Sequence, residues 1–128
     1  MAFDANLTVG VGIAGVVIGR TLTFTGTGHS GFDETIDADQ TDVEVEWAVD
    51  VSALKLLVMV ADQDVTIETN DGGSPVDTID LIANEPHVWH TDSLYTKKLT
   101  TDVTSVFITT GAAATRIQCE ALTDATPE

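Results

Sequence analysis

The stretch from Leu54 to Trp89, LKLLVMVADQDVTIETNDGGSPVDTIDLIANEPHVW, constrains the fold more than any other part of the chain. Its first eight residues place Leu54, Leu56, Val58 and Val60 at alternate positions, with Lys55, Leu57, Met59 and Ala61 between them. Successive side chains of a strand point to opposite faces, so three apolar residues on the second face predict a strand covered on both sides. Such a strand is either central or turned toward a subunit interface; a short helix starting at Ser52 is the alternative for so short a run. Asp64 to Thr69 then alternates with Val65 and Ile67 inward. The loop Asn70, Asp71, Gly72, Gly73, Ser74, Pro75 supplies residues that tolerate positive φ and a proline that ends a ladder, which predicts a hairpin returning through Val76 to Ala83. Asn84, Glu85 and Pro86 turn the chain into a strand from His87 to Thr91.

The flanking segments follow the same period. Leu7 to Ile13 carries Leu7, Val9, Val11 and Ile13 alternating with Thr8, Gly10 and Gly12, and residues 1–19 read as an arm packed on a neighbouring subunit or as an ordinary edge strand. Arg20 to Thr25 is a half-buried strand, residues 26–31 a Gly-rich loop that exposes His29, and Phe32 to Ile36 a short strand before an acidic turn. Asp42 to Asp50 places Val43, Val45, Trp47 and Val49 on one face and acids on the other, one face for the core and one for water. Leu94 to Leu99, with Tyr95, Lys97 and Lys98, reads as strand or loop. Thr104 to Thr110 and Thr115 to Leu122 complete the series, the last with Ile117, Cys119 and Ala121 inward. About eight strands, turn signals every eight to twelve residues and no convincing helix predict one all-β domain over residues 1–128. The fold class is an antiparallel β-sandwich of jelly-roll or Greek-key type.

Twenty-one acidic residues face five basic ones, a net charge of −16 over 128 residues. That balance argues against a nucleic-acid partner. It reads either as a strongly solvated surface or as adaptation to high salt, where the Debye length falls to roughly 3 Å at 1 M and dense carboxylates cease to repel one another. Cys119 is the single cysteine, so no intrachain disulfide forms. The apolar segment Leu7 to Ile18 is interrupted by glycine, lacks a basic leader and is too short to span a membrane, so neither signal peptide nor membrane segment is expected.

Sites of chemistry are not apparent. His87 and His90 flank Trp89, but residues three apart on a strand lie on opposite faces and cannot converge on a metal. Asp37, Asp39 and Asp42, and likewise Asp62 and Asp64, lack the spacing of a calcium loop and suit solvated turns. Nucleophile elbows, phosphate loops and dinucleotide fingerprints are absent. No catalytic, cofactor-binding or metal residue is therefore expected, and the chain is expected not to be an enzyme.

The run from Leu54 to Trp89, followed by DVTSVFITTGAAATRIQCEALTDATP, resembles a pattern in small structural proteins of tailed viruses. These pair an Asp-Gln-Asp-Val-Thr-Ile-x-Thr-Asn hairpin with an Ala-Asn-Glu-Pro-x-x-Trp turn and an Asp-Val-Thr-x-x-hydrophobic-x-Thr strand. The likeness covers Leu54 to Pro127, and its motifs are signatures of fold. It implies a virion protein, a capsid decoration or cement protein that sits as a homotrimer over junctions of the major capsid protein. The acidic, Lys-poor composition would suit a virus of a halophilic archaeon. The residues expected at such an interface are Leu7, Val9, Val11 and Ile13 of the arm, Leu57 and Met59, and Trp89. A tail or head-fibre component is the related alternative. A carbohydrate-binding module resting on Trp47, Trp89 and Tyr95, or a small hydrolase with paired carboxylates, are alternatives from other classes.

Overall fold

The computed structural model describes residues 2–94 and 96–124, so Tyr95 and the tail beyond Asp124 lie outside the described residues. Ten strands are present among the described residues: β1 (Phe3–Ile13), β2 (Val16–Gly26), β3 (Gly28–Ile36), β4 (Val43–Val45), β5 (Leu54–Ala61), β6 (Val65–Thr69), β7 (Thr78–Leu81), β8 (His87–His90), β9 (Val106–Thr110) and β10 (Thr115–Thr123). A single turn of 3-10 helix at Val51–Ala53 precedes β5, its N-terminus capped by Asp50. No helix among the described residues is long and apolar enough to cross a membrane.

Strands β3 to β10 form two four-stranded antiparallel sheets, ordered β3-β10-β5-β8 and β4-β9-β6-β7. The β6–β7 hairpin stays within one sheet, and every other connection from β3 onward crosses to the opposite sheet. The fold is thus an all-β antiparallel sandwich. Strands β1 and β2 stand apart as a third, two-stranded sheet.

The core fills the space between the sheets. Ile117, Cys119 and Ala121 of β10 and Leu57, Met59 and Ala61 of β5 join Val65, Ile67, Ile79, Leu81, Val106 and Ile108 of the other sheet in one buried cluster. Burying each large aliphatic side chain contributes about 2 kcal/mol. Trp47 belongs to this cluster, edge-on to Phe32 with ring centroids 5.7 Å apart, and its indole N–H donates to Ser30 Oγ at 3.2 Å. A buried tryptophan needs such a partner for its one polar group.

Several expectations are corrected. Leu57 and Met59, expected on a face open to a partner, are 1% and 0% exposed and point into the core, so they form no part of a surface. The reason is a register shift. Leu122 of β10 pairs with Leu56, yet the next residue, Thr123, pairs with Leu54. Lys55 is thus an extra residue, and the bulge turns Leu54 inward while Leu56, Val58 and Val60 face out. The alternation from Asp42 to Asp50 puts Val45, Trp47 and Val49 inside as expected. Only Val43–Val45 is a strand, however, and Val49 is held by an isolated bridge to Val103. The loop expected over residues 26–31 is mostly strand, with His29 exposed on β3. No strand lies between 94 and 99 among the described residues, though Leu99 is fully buried.

Candidate interaction surface

Strands β1 and β2 make an arm of eleven cross-strand pairs, from Phe3↔Gly26 to Ile13↔Val16. At a strand rise of about 3.3 Å per residue it is roughly 36 Å long. Ala14 and Gly15 form its tip with φ of 50° and 84°, the two left-handed residues of a tight hairpin turn whose twist matches the strands.

Pairing sorts the arm into two unlike faces. Directly opposed residues share a face, so Leu7, Val9, Val11 and Ile13 lie with Leu22, Arg20, Ile18 and Val16, apolar but for the arginine. The reverse face is polar toward the foot, where Thr8 meets Thr21 at 3.0 Å, Thr23 donates to Asn6 at 3.0 Å, and Thr25 donates to Asp4 at 2.9 Å. Near the tip that face has the glycines Gly10, Gly12 and Gly19 around one apolar side chain, Val17, which is 80% exposed. The apolar face is uncovered over its outer half: Ile13 is 67% and Ile18 64% exposed, and Val9, Val11 and Val16 are exposed with them. Exposed apolar residues in a contiguous strip, rather than scattered singly, mark an interaction site.

The foot of the arm is fixed to the sandwich. Phe3 stacks edge-on against His29 of β3 at 4.7 Å and Phe24 lies against His90 of β8 at 5.3 Å. Lys55 Nζ donates to the carbonyl of Thr25 at 2.8 Å, and Thr27 N–H to that of Thr123 at 2.9 Å. Gly26 passes so close to Thr123 that a Cβ would collide with its carbonyl oxygen, so glycine sets where the arm leaves the body.

The outer face of the β3-β10-β5-β8 sheet, on which the foot rests, carries an apolar trough along β5. Leu56, Val58 and Val60 form its floor. Phe3 and Ala5 cover the Leu56 end, where a cavity of about 350 Å³ also touches Val58 and Leu122. Past the foot the trough opens to an uncovered groove of about 520 Å³ over Val58 and Val60, bordered by Asp33, Gln118 and Glu120. Asp33 is held by Arg116 through two contacts of 2.9 and 2.6 Å, and the guanidinium lowers the Asp33 pKa. Glu120 lies 2.8 Å from His29 Nδ1.

Charge divides along the same line. None of the 21 carboxylates lies between residues 5 and 32, a span whose one Lys or Arg is Arg20; elsewhere four basic residues face 21 acidic ones, a net −17. The arm is a neutral, apolar projection from a strongly acidic body.

Elsewhere the polar groups close turns or sheets. Asp62 Oδ1 accepts from Arg116 N–H at 2.9 Å and Asp64 Oδ1 from Ala83 N–H at 2.8 Å. Glu68 has its pKa raised by loss of water around it and then by the adjacent Asp42 carboxyl, with Asp71 and Asp80 adding repulsion. Among the described residues no group of three or more His, Cys, Asp or Glu is arranged to hold a metal ion. His87 and His90 pair with Met59 and Leu56 and so lie on opposite faces of the sheet. His87 is half-buried, and burial lowers its pKa, followed by the repulsion of Lys98. Cys119 is buried, and that burial pushes its thiol pKa far up.

Of the residues expected at an interface, Leu7, Val9, Val11 and Ile13 share the arm's apolar face, Leu7 being half-buried and the other three exposed. Leu57 and Met59 are core. Trp89 packs partly against the core with Lys97 Nζ 5.0 Å above its ring. Sequence reasoning missed Val16, Ile18 and Leu22 as partners of the first strand, and Val58 and Val60 as the outward row. The signal for the former was present in the absence of acids from residues 5–32. No family model, curated protein or solved structure matches the chain.

Proposed function

We propose that this chain is a structural, non-enzymatic virion protein that decorates a viral capsid, assembling as a homotrimer over junctions of the major capsid protein. The observation that carries the reading is the arm: a fixed, neutral hairpin with a continuous apolar face left open to solvent. A decorating protein needs complementary apolar patches that lose water on binding, within a polar rim. The winding of the body supports the reading at the level of fold. Eight strands ordered β3-β10-β5-β8 over β4-β9-β6-β7, crossing between sheets at every step but one, support a jelly-roll reading of the sandwich, an architecture common among viral capsid and lectin domains. Fold alone assigns no function; the resemblance of the Leu54–Pro127 segment to tailed-virus structural proteins supplies the class. The −16 charge suits a virion that meets molar salt.

The test is co-sedimentation of the purified protein with shells assembled from the major capsid protein of a tailed virus of a halophilic archaeon, in molar NaCl. Saturable binding at a fixed ratio, with shells made more resistant to heat, is the expected result. Free protein in the supernatant at all ratios would remove the capsid reading. A carbohydrate-binding role gains no support among the described residues, since Trp47 is buried and Trp89 lies packed beneath Lys97.

A further inference from the structure

We infer that the apolar face of the arm seats on the outer-face trough of β5 in a second copy of this chain, so that copies are joined by exchange of arms. This deepens the proposed function and rests on its reading of the arm as an assembly element, naming the arm's partner. Three observations lead to it.

Among the described residues, two apolar surfaces match one another in kind. One is the exposed strip of Val9, Val11, Ile13, Val16 and Ile18; the other is the open end of the trough, where Val58 and Val60 are half-buried. The foot of the arm already shows the fit, for Phe3 and Ala5, on the arm's apolar face, line the Leu56 end of that same trough. A neighbour's arm would continue the covering that the chain's own arm begins. The hairpin runs out from the body, and the tip cannot fold back onto Val60 because Gly26 and the bonds at Thr25 and Thr27 fix its exit.

The charges match as well. A second copy presents a −17 body, and the one part of this chain that can approach it without like-charge repulsion is the acid-free span of residues 5–32. Arg20 lies mid-strip opposite Val9, its guanidinium bonded at 2.7 Å to the carbonyl of Gly19, and the trough is bordered by Asp33 and Glu120. An arginine entering an apolar contact with carboxylates on its rim favours one register over others.

Area sets the stoichiometry. Seven residue pairs, Leu7↔Leu22 to Ile13↔Val16, make a face about 24 Å long and about 10 Å wide, so one arm in one trough buries roughly 500 Å² counting both sides. That is below the roughly 1,000 Å² a specific association needs. Each copy therefore both gives an arm and receives one: a reciprocal pair doubles the area of a single interface, and in a closed ring, of which a trimer is one case, each copy makes two such contacts and closure of the ring adds to their strength.

The experiment is sedimentation equilibrium of the intact chain at low and molar NaCl, with two variants. One charges the strip (Val11→Asp with Ile18→Asp); the other charges the trough (Val60→Asp). Urea midpoints report that each still folds. The wild type is expected to associate, more tightly in molar salt, and both variants to associate at least tenfold more weakly, since each buries an unpaired carboxylate at the contact. If the strip variant dissociates while a folded trough variant does not, the trough is not the receiving surface and the inference fails, although the arm remains an assembly element. If the folded wild type is a monomer at every salt and concentration, arm exchange is overturned, and shell co-sedimentation then decides the capsid reading on its own.

Discussion

The rings of Phe24 and His90 lie 5.3 Å apart at 39°, the arm's second strand resting on the edge strand of the body. With Phe3 against His29 on the other side, this pair holds the foot of the hairpin at two points. An aromatic contact of this kind contributes about 1 kcal/mol beyond the area it covers. Phe24→Ala is therefore expected to raise opening of the arm's foot about fivefold while leaving the body intact. Hydrogen exchange at Thr25 and Thr27 reads the effect; unchanged rates there would contradict the two-point attachment.

Met59 and Val58 are neighbours with opposite roles. Met59→Ala empties a fully buried site between the sheets and is expected to lower stability by about 2–5 kcal/mol. Val58→Ala, on the outer face, is expected to cost about 1 kcal/mol or less. Urea unfolding of both variants checks the ranking, and equal losses would undo the assignment of faces on β5.

How much of this was legible in the sequence depends on the kind of signal. Alternation located nearly every strand and the inward row of β10, because a half-buried strand must repeat every second residue. The Asn70–Pro75 loop announced the β6–β7 hairpin through residues chosen for positive φ. The arm's turn was hidden: Ala14 adopts a left-handed φ that the sequence does not advertise, so residues 1–19 looked like one segment rather than half of a hairpin. The faces of β5 were not readable, because both rows are apolar and only the bulge at Lys55, a product of pairing with β10, decides which one is inside. The trough and the arm's foot depend on which strands neighbour one another across the sheet, and periodicity along the chain carries no information on that.

Asp77 ties the β6–β7 loop to the buried segment around Leu99. Its carboxylate accepts from Thr100 N–H at 2.8 Å and from Thr100 Oγ1 at 2.7 Å, and its own N–H donates to Thr69 Oγ1 at 3.0 Å. Asp77→Ala removes the acceptor of both Thr100 donors at a buried carboxylate beside an exposed threonine, and is expected to cost about 1 kcal/mol, with Asp77→Asn recovering part of it. A thermal melt in which the alanine variant matched the wild type would show that water replaces the carboxylate without loss.

Glu68 and Asp33 predict opposite pH effects. Glu68 has its folded pKa raised, so the native state holds its proton more tightly than the unfolded chain. The resulting penalty is present at neutral pH and is relieved as pH falls through the raised value. Asp33 has its pKa lowered by Arg116, so its contribution is present above the unfolded carboxylate value and is lost as pH falls through the folded one. Glu68→Gln is therefore expected to stabilise the protein at pH 7 in low salt by less than about 1 kcal/mol, with the gain shrinking in molar NaCl. Asp33→Asn is expected to flatten the acid limb of stability against pH. A gain from Glu68→Gln that was the same at both salt concentrations would rule out repulsion as its source.

The strip of Val9, Val11, Ile13 and Ile18 is proposed as the docking surface of the arm. Hydroxyl-radical footprinting of these side chains measures it most directly, comparing dilute protein in low salt with concentrated protein in molar NaCl and with protein bound to shells. Rapid oxidation of all four is expected in the dilute sample and severalfold protection in at least one of the other two, while the exposed Val76 and Ile82, which belong to neither the arm nor the trough, oxidise equally throughout. Oxidation of the strip at one undiminished rate under all three conditions would contradict docking through the strip.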